Sequence, residues 1–347
     1  RRSGKIAGGL AIGLAALCVL GAAPTDPRGE YKLVKTAPLG GTERWDYASF
    51  DPASHRVFVA HNTEATVVDG LSGAVVGRIE GLEGAHGIVV VPDLKHGYAN
   101  SGRRSTMTEF DLESLKPIKE VEIGKDSDAI VYDPASRRVF AMLGDTGKIA
   151  VLDVATDNLV TTLTVGGALE FPAVDGQGKL FVNDEETREI IRIDTKSATI
   201  DARWPIAACE APHGLAIDVA NRRLFSSCVN QLLLVIDADD GHVVASLPIG
   251  RGTDAAAFDP KRKLVFSSNA EGTLSIIAAE GKDKFVALGD LPTAPGARTM
   301  ALDPASGRVF LVTAEVDHVD PPSEPGARPR TVYKPGSAEL LMLDPAT

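Results

Sequence analysis

Short apolar runs alternate with clusters of Gly, Pro, Asp and Asn along almost the whole chain. Runs such as Val57-Phe58-Val59, Val139-Phe140-Ala141 and Leu264-Val265-Phe266 are too short for a helix, and lack the 3.6-residue spacing with which a helix buries one stripe. Turn formers bound them on both sides, so the pattern predicts a chain that is almost entirely β. One stretch shows the plan. Ala129–Tyr132, Arg138–Met142, Lys148–Asp153 and Leu159–Val165 read as four strands, separated by the turns Asp133-Pro134-Ala135-Ser136, Gly144-Asp145-Thr146-Gly147 and Ala155-Thr156-Asp157-Asn158. Asp opens such turns by bonding the backbone two residues on, and Pro presets φ for the next position.

The plan recurs at a fixed period. Seven ionisable residues, Asp46, His86, Asp128, Glu170, His213, Asp254 and Arg298, stand 40 to 44 residues apart, each five places ahead of a turn such as Asp51-Pro52, Asp133-Pro134 or Asp259-Pro260. An aromatic follows every turn: Phe58, Tyr98, Phe140, Phe181, Phe225, Phe266 and Phe310. A period in this range marks a repeat architecture, and four antiparallel strands per repeat make a propeller blade. The expected fold is therefore all-β, a seven-bladed β-propeller of four-stranded antiparallel blades. The seventh repeat ends with its third strand, Glu339–Leu343, while Tyr31–Gly40 ahead of the first repeat matches the fourth strands Ile118–Gly124 and Val243–Gly250. The N-terminal strand is expected to complete the last blade and close the ring, leaving no open seam.

The pattern Asp-Pro-x-x-x-Arg-Val-Phe-Val, followed by Gly-x-hydrophobic-x-hydrophobic-hydrophobic-Asp, resembles the YncE-like, or YVTN, β-propeller repeat proteins of bacteria over roughly residues 31 to 347. The Pro-rich stretch from His318 to Gly336 is similar to that family's final blade. The resemblance implies the propeller fold but no single activity, since related propellers include binding proteins, lactonases, a streptogramin lyase and subunits of quinoprotein dehydrogenases.

Residues 1–25 follow different rules. Arg1, Arg2 and Lys5 precede an uncharged stretch, Ile6 to Ala23, of 18 residues, which reads as a secretory signal peptide, with an N-terminal membrane anchor as the alternative. Residues 26–347 are then expected to form one propeller domain, periplasmic or secreted, touching membrane only through an uncleaved N-terminal segment. Removing residues 1–25 takes the formal net charge from −11 to −14. That acidity, with only 5% aromatic residues and basic clusters as short as Arg103-Arg104, argues against a nucleic-acid partner and suits cationic ligands better. Cys209 and Cys228 fall in the same repeat, one before its first strand and one at the end of its second. In an oxidising compartment they read as a disulfide, with free thiols or a thiolate metal site with His213 as alternatives.

The seven periodic charges predict where chemistry or binding sits, because the first strand of each blade lines the channel. Trp45, Asp46, His61, His86, Asp128, Glu170, His213, Asp254 and Arg298 are the candidate ligand-binding residues at the channel mouth. Carboxylates and imidazoles together suit a divalent metal ion, with His86, His213, Asp128 and Glu170 as candidate ligands, while Arg298 suits a carboxylate or phosphate. The plainer reading is a wet channel rim whose opposite charges pair. For an enzyme, read as a metal-assisted lyase or lactonase, His86, His213, Glu170 and Glu210 are the candidate catalytic groups. The absence of a nucleophile motif or a Gly-rich phosphate loop tilts the reading toward binding a small molecule, metal ion or protein partner. The segment Glu315–Gly336 reads as the longest irregular loop, emerging on the same face, with His318, Asp320, Arg328, Arg330 and Tyr333 in reach of a ligand.

Overall fold

The computed structural model describes residues 26–42, 44–324 and 329–346; the expected leader or anchor at 1–25 and Arg328 lie outside the described residues. Antiparallel strands fill the chain, and the helical turns among the described residues are single 3-10 turns such as Pro92–Leu94 and Gly144–Thr146. No helix among them is long and apolar enough to cross a membrane.

The strands form seven blades in a ring, each running from an inner first strand to an outer fourth. Blade three is Ser127–Asp133, Arg138–Leu143, Lys148–Asp153 and Asn158–Thr164, within two residues of the sequence reading. In blade one the second and third strands form one continuous run, Arg56–Asp69, that folds back near Asn62, which takes a left-handed φ of 62°. The Gly70 amide then reaches the His55 carbonyl, as the Val154 amide reaches Arg137 and the Ala279 amide reaches Lys263 in blades three and six. Closure follows the expected route. Tyr31–Pro38 pairs with Glu339–Pro345, from Tyr31 opposite Pro345 to Pro38 opposite Glu339, with a bulge between Leu33 and Lys35.

Turn chemistry sets these hairpins. The buried carboxylates of Asp133, Asp175, Asp218 and Asp259 accept from the amides of Ala135, Gln177, Ala220 and Lys261, two residues on. The residue before strand two then takes a left-handed φ, as at His55, Arg137, Arg222 and Lys263. Val91 replaces the Asp in blade two, where the Pro92–Leu94 turn and left-handed Lys95 do the same work.

Packing is arranged by blade boundary. Phe140 and Met142 of blade three bury against Leu180 and Val182 of blade four; Phe181 and Ile190 of blade four bury against Leu224 and Leu234 of blade five. Phe310 and Leu340 meet Val57 and Val59 across the seam between blades seven and one. Inner strands are therefore buried on both faces, which is why they read as unbroken apolar runs rather than as alternation. The outer strands, such as Asn158–Thr164, face solvent with residues like Leu159 and Val160.

The segment read as an irregular loop is ordered over much of its length: Val316–Asp320 and Arg330–Tyr333 pair as a hairpin projecting from blade seven. Its β-branched and aromatic residues Val316, Val319, Thr331, Val332 and Tyr333 favour strand, a signal that the neighbouring prolines obscure.

Cys209 and Cys228 form a disulfide, with both sulfurs buried, tying the entry of blade five to the end of its second strand. Closing a loop over a separation of 19 residues restricts the unfolded chain, which is worth about 3 kcal/mol. Replacing both cysteines with Ala should lower the unfolding free energy by about that amount in denaturant titration and steepen the slope on denaturant, because the unbridged unfolded chain exposes more surface; an unchanged midpoint would show the bridge to be dispensable.

Candidate functional site

Each periodic charge sits at the channel end of a first strand, and the strand geometry there is irregular. In blades three to five, two strand-one residues oppose one on strand two: Asp128 falls between the pairs Ser127–Leu143 and Ile130–Ala141, Glu170 between Leu169–Asp184 and Pro172–Val182, and His213 between Pro212–Cys228 and Leu215–Ser226. The same register shift places Asp254 in blade six. A bulge frees one residue from the ladder and re-aims its side chain, here toward the channel mouth.

Neighbouring blades hold these bulges in place. The buried Asn100 side chain accepts from the amides of His86 at 2.9 Å and Gly87 at 2.8 Å, and donates to the Asp128 carbonyl of the next blade. Asn183 likewise donates to the carbonyls of His213 at 2.8 Å and Gly214 at 3.1 Å. These strand-two asparagines position the ring backbone. His61 is also structural: it is fully buried, with Nδ1 2.9 Å from Thr66 Oγ1 and Nε2 on the Thr42 carbonyl.

The seven ring side chains pair across blade boundaries. His86 Nδ1 lies 2.6 Å from Asp46 Oδ2 and 3.4 Å from Asp128 Oδ1. Arg298 Nε lies 2.8 Å from Asp254 Oδ2. His213 Nδ1 is 3.4 Å from Glu170 Oε2, close enough for charge but too poorly aligned to bond, so this buried nitrogen has no hydrogen-bond partner among the described residues. Glu185 approaches His213 Nε2 at 3.7 Å. Glu210 does not join them: it is exposed, and its contacts are backbone ones to Asn230 and Val229. The signal for Glu185 was Asp184-Glu185, the acidic end of blade four's second strand. The four residues read as metal ligands thus fall into two sets, His86 and Asp128 with Asp46, and His213 and Glu170 with Glu185; within each set the donor atoms lie within 4.8 Å of one another.

Beneath the ring, Tyr47 of blade one and Phe171 of blade four meet edge to face at 4.9 Å, filling the channel. Burial pushes the Tyr47 hydroxyl well above its usual pKa, helped by the charges of Asp128, Asp46, Glu170 and Asp254, which all act on that one group. Burial also pushes Asp128 well above the carboxylate range, reinforced by Asp46 and opposed by His86. Asp254 is pushed up to about 6, chiefly by burial, which outweighs the Arg298 guanidinium beside it. At His86 burial works against protonation, but the Asp46 contact and the charges of Asp46, Asp128 and Asp126 outweigh it and raise the pKa. His213 is raised in the same way by Glu170, Asp254 and Glu185.

Two hollows open above the ring. One, of about 530 Å³, lies over blades two to four and is lined by Asp126, Asp128, Asp145 and Glu170 together with Arg103 and Lys125. The other, of about 400 Å³, lies between the blade-seven hairpin and the entries of blades one and two. Trp45 and Tyr333 meet there edge-on at 4.9 Å. Arg330 and Tyr333 of the hairpin line this hollow, while exposed His318 is taken up by Asp317 at 2.8 Å and Asp320 at 3.3 Å.

Fold and mouth together define a seven-bladed β-propeller with a charged, plugged channel entrance. No known protein family and no curated protein matches the chain. Among solved structures it is similar to a chain of the mitotic checkpoint complex (TM-score 0.71, 14% identity, covering 86% of this chain and 96% of that one). It is also similar to a chain of Kuenenia stuttgartiensis hydrazine synthase (0.67, 16% identity, 87% and 97%) and to U3-55K (0.72, 10% identity, 90% and 98%). At such identities the likeness is one of fold.

Asp128 supplies a test of the coupled charges. Its folded pKa lies above its unfolded one, so the protonated form favours folding at low pH and that contribution is lost as pH rises through the folded value. Asp128→Asn should therefore raise the melting temperature at pH 8 and raise it less, or not at all, at pH 5. An effect of equal size at both pH values would show that Asp128 carries no unfavourable charge.

Proposed function

We propose that this chain is a periplasmic or secreted, YncE-like β-propeller, a single domain over residues 26–347 behind a leader or anchor at 1–25, that binds a small ligand at its channel mouth. The observation that carries this reading is convergence. Seven side chains from seven blades, 40 to 44 residues apart in sequence, stand at the entries of the first strands, and five of them, Asp46, His86, Asp128, Glu170 and Arg298, line two hollows there. Concave sites with a few convergent polar groups are the usual ligand sites of proteins. The buried disulfide supports an oxidising compartment. A protein partner seated on the same face is the broader form of this reading.

A metal-assisted lyase or lactonase is the second reading, favoured by the set Glu170, Glu185 and His213, whose donors lie within 4.8 Å of one another around a buried imidazole nitrogen lacking a hydrogen bond. A divalent ion held there would acidify a group bound to it. His213 would then be a ligand, leaving His86, with its raised pKa and Asp46 partner, to move a proton.

Thermal-shift screening of the purified chain against small molecules and divalent cations tests the first reading. Ligands should raise the melting temperature of wild type and lose that effect in Asp46→Asn/His86→Ala; a screen in which every ligand stabilises both proteins equally would place binding elsewhere. Elemental analysis of protein purified without a metal-affinity tag tests the second. A stoichiometric metal absent from His213→Ala is expected, and metal-free wild type that also fails to take up Mn²⁺ or Zn²⁺ would remove the metal reading.

A further inference from the structure

The two hollows differ in sign. The one over blades two to four carries four acids, Asp126, Asp128, Asp145 and Glu170, against Arg103 and Lys125, whereas the one beneath the blade-seven hairpin has four arginines in its wall, Arg44, Arg298, Arg330 and the shared Arg103. Of these four, Arg298 alone has a carboxylate partner among the described residues, Asp254. Among the described residues Arg44, Arg103 and Arg330 have neither an ion pair nor a side-chain hydrogen bond, while every other described arginine except Arg188 has one. The remaining charge is balanced locally. Asp46 faces His86, and Asp254 faces Arg298. Three guanidinium groups without counter-charge among the described residues thus line one hollow in a chain whose net charge is −11.

Two aromatic residues share this wall with Asp46, Asn62 and His86. Trp45 and Tyr333 contribute their rings, and Gly296 makes room for the second: a Cβ there, at a φ of +80°, would stand 2.1 Å from the Tyr333 hydroxyl. Arg103 is seated against Gly84 in a similar way, where a Cβ would meet its Cγ at 3.0 Å. Guanidinium forks match carboxylate and phosphate oxygens in pairs and also stack on planar groups, and an aromatic pair gives such a ligand an apolar face.

Resting on the reading of the mouth as a ligand site, we propose that this hollow takes a small aromatic anion. Its carboxylate or phosphate groups are held by Arg44, Arg103 and Arg330, and its ring lies against Trp45 and Tyr333. The local charge therefore reverses what the net charge of the chain suggests about ligand sign, because screening at about 0.15 M salt confines each group's field to about 8 Å.

Calorimetric titration of the full chain with benzene-1,3,5-tricarboxylate, phenyl phosphate and the neutral benzene-1,3,5-tricarboxamide tests this. At least one anion should bind, the amide should not, and Arg103→Ala and Arg330→Ala should each weaken binding about tenfold. Lys at either position should recover part of the loss. Melting temperatures should stay at the wild-type value, since both side chains are exposed and unpaired. Preference for the tricarboxylate or for the phosphate identifies the acid group, and either supports the inference. Equal binding of the neutral amide, or anion binding unchanged by the arginine variants, overturns it while leaving the mouth a ligand site. If neither anion binds, the inference falls; if no compound in the thermal-shift screen binds either, the mouth reading falls with it.

Discussion

Everything in this molecule depends on the burial of one blade against the next. No blade owns its core: the apolar faces of its second and third strands are covered by the strands on either side, as Phe140 is by Leu180 and Phe181 by Leu224. Removing such surface from water contributes about 25 cal/mol per Å², and an unclosed ring would leave two such faces bare. The pairing of Tyr31–Pro38 with Glu339–Pro345 is therefore a condition of the fold, since it brings Phe310 and Leu340 of the last blade against Val57 and Val59 of the first.

Closure has a consequence at the centre. Seven first strands crowd around one axis, so whatever stands at their entries is brought together regardless of its separation in sequence. Here those groups are mostly acids. Asp128 and Asp254 are held protonated at higher pH than isolated carboxylates would be, and Tyr47 is driven further still from ionisation. Such unfavourable electrostatics at one location is what functional sites tend to display, and the asparagines that pin His86, Asp128 and His213 by their backbones keep the charges from moving apart.

The mouth is also uneven around its circumference. The hairpin inserted in blade seven leans over blades one and two, bringing Arg330 and Tyr333 to Arg103 and Trp45, whereas the entries of blades two to four stay open and acidic. A ring of equivalent positions thereby becomes two sites, one rich in arginine and one richer in acids, with His86 and Arg103 in the wall of both.

The fold was legible because its causes are local and repeated: an Asp-opened turn, a buried aromatic and a run buried on both faces, recurring until the ring is full. The ring of Asp46, His86, Asp128, Glu170, His213, Asp254 and Arg298 was legible for the same reason, since a position fixed relative to the turn is also fixed relative to the axis. What periodicity does not carry is who meets whom. Glu185 at His213, the structural role of His61, the two metal-ligand sets and the convergence of Arg44, Arg103 and Arg330 arise between blades, or between a blade and an insertion outside the repeat. Sequence alone determined the number of blades, the closing strand and the residues that face the axis. Tertiary structure decided their partners and the sign of each hollow, because charges pair by distances of a few ångströms across a closed ring while the sequence orders them only along the chain.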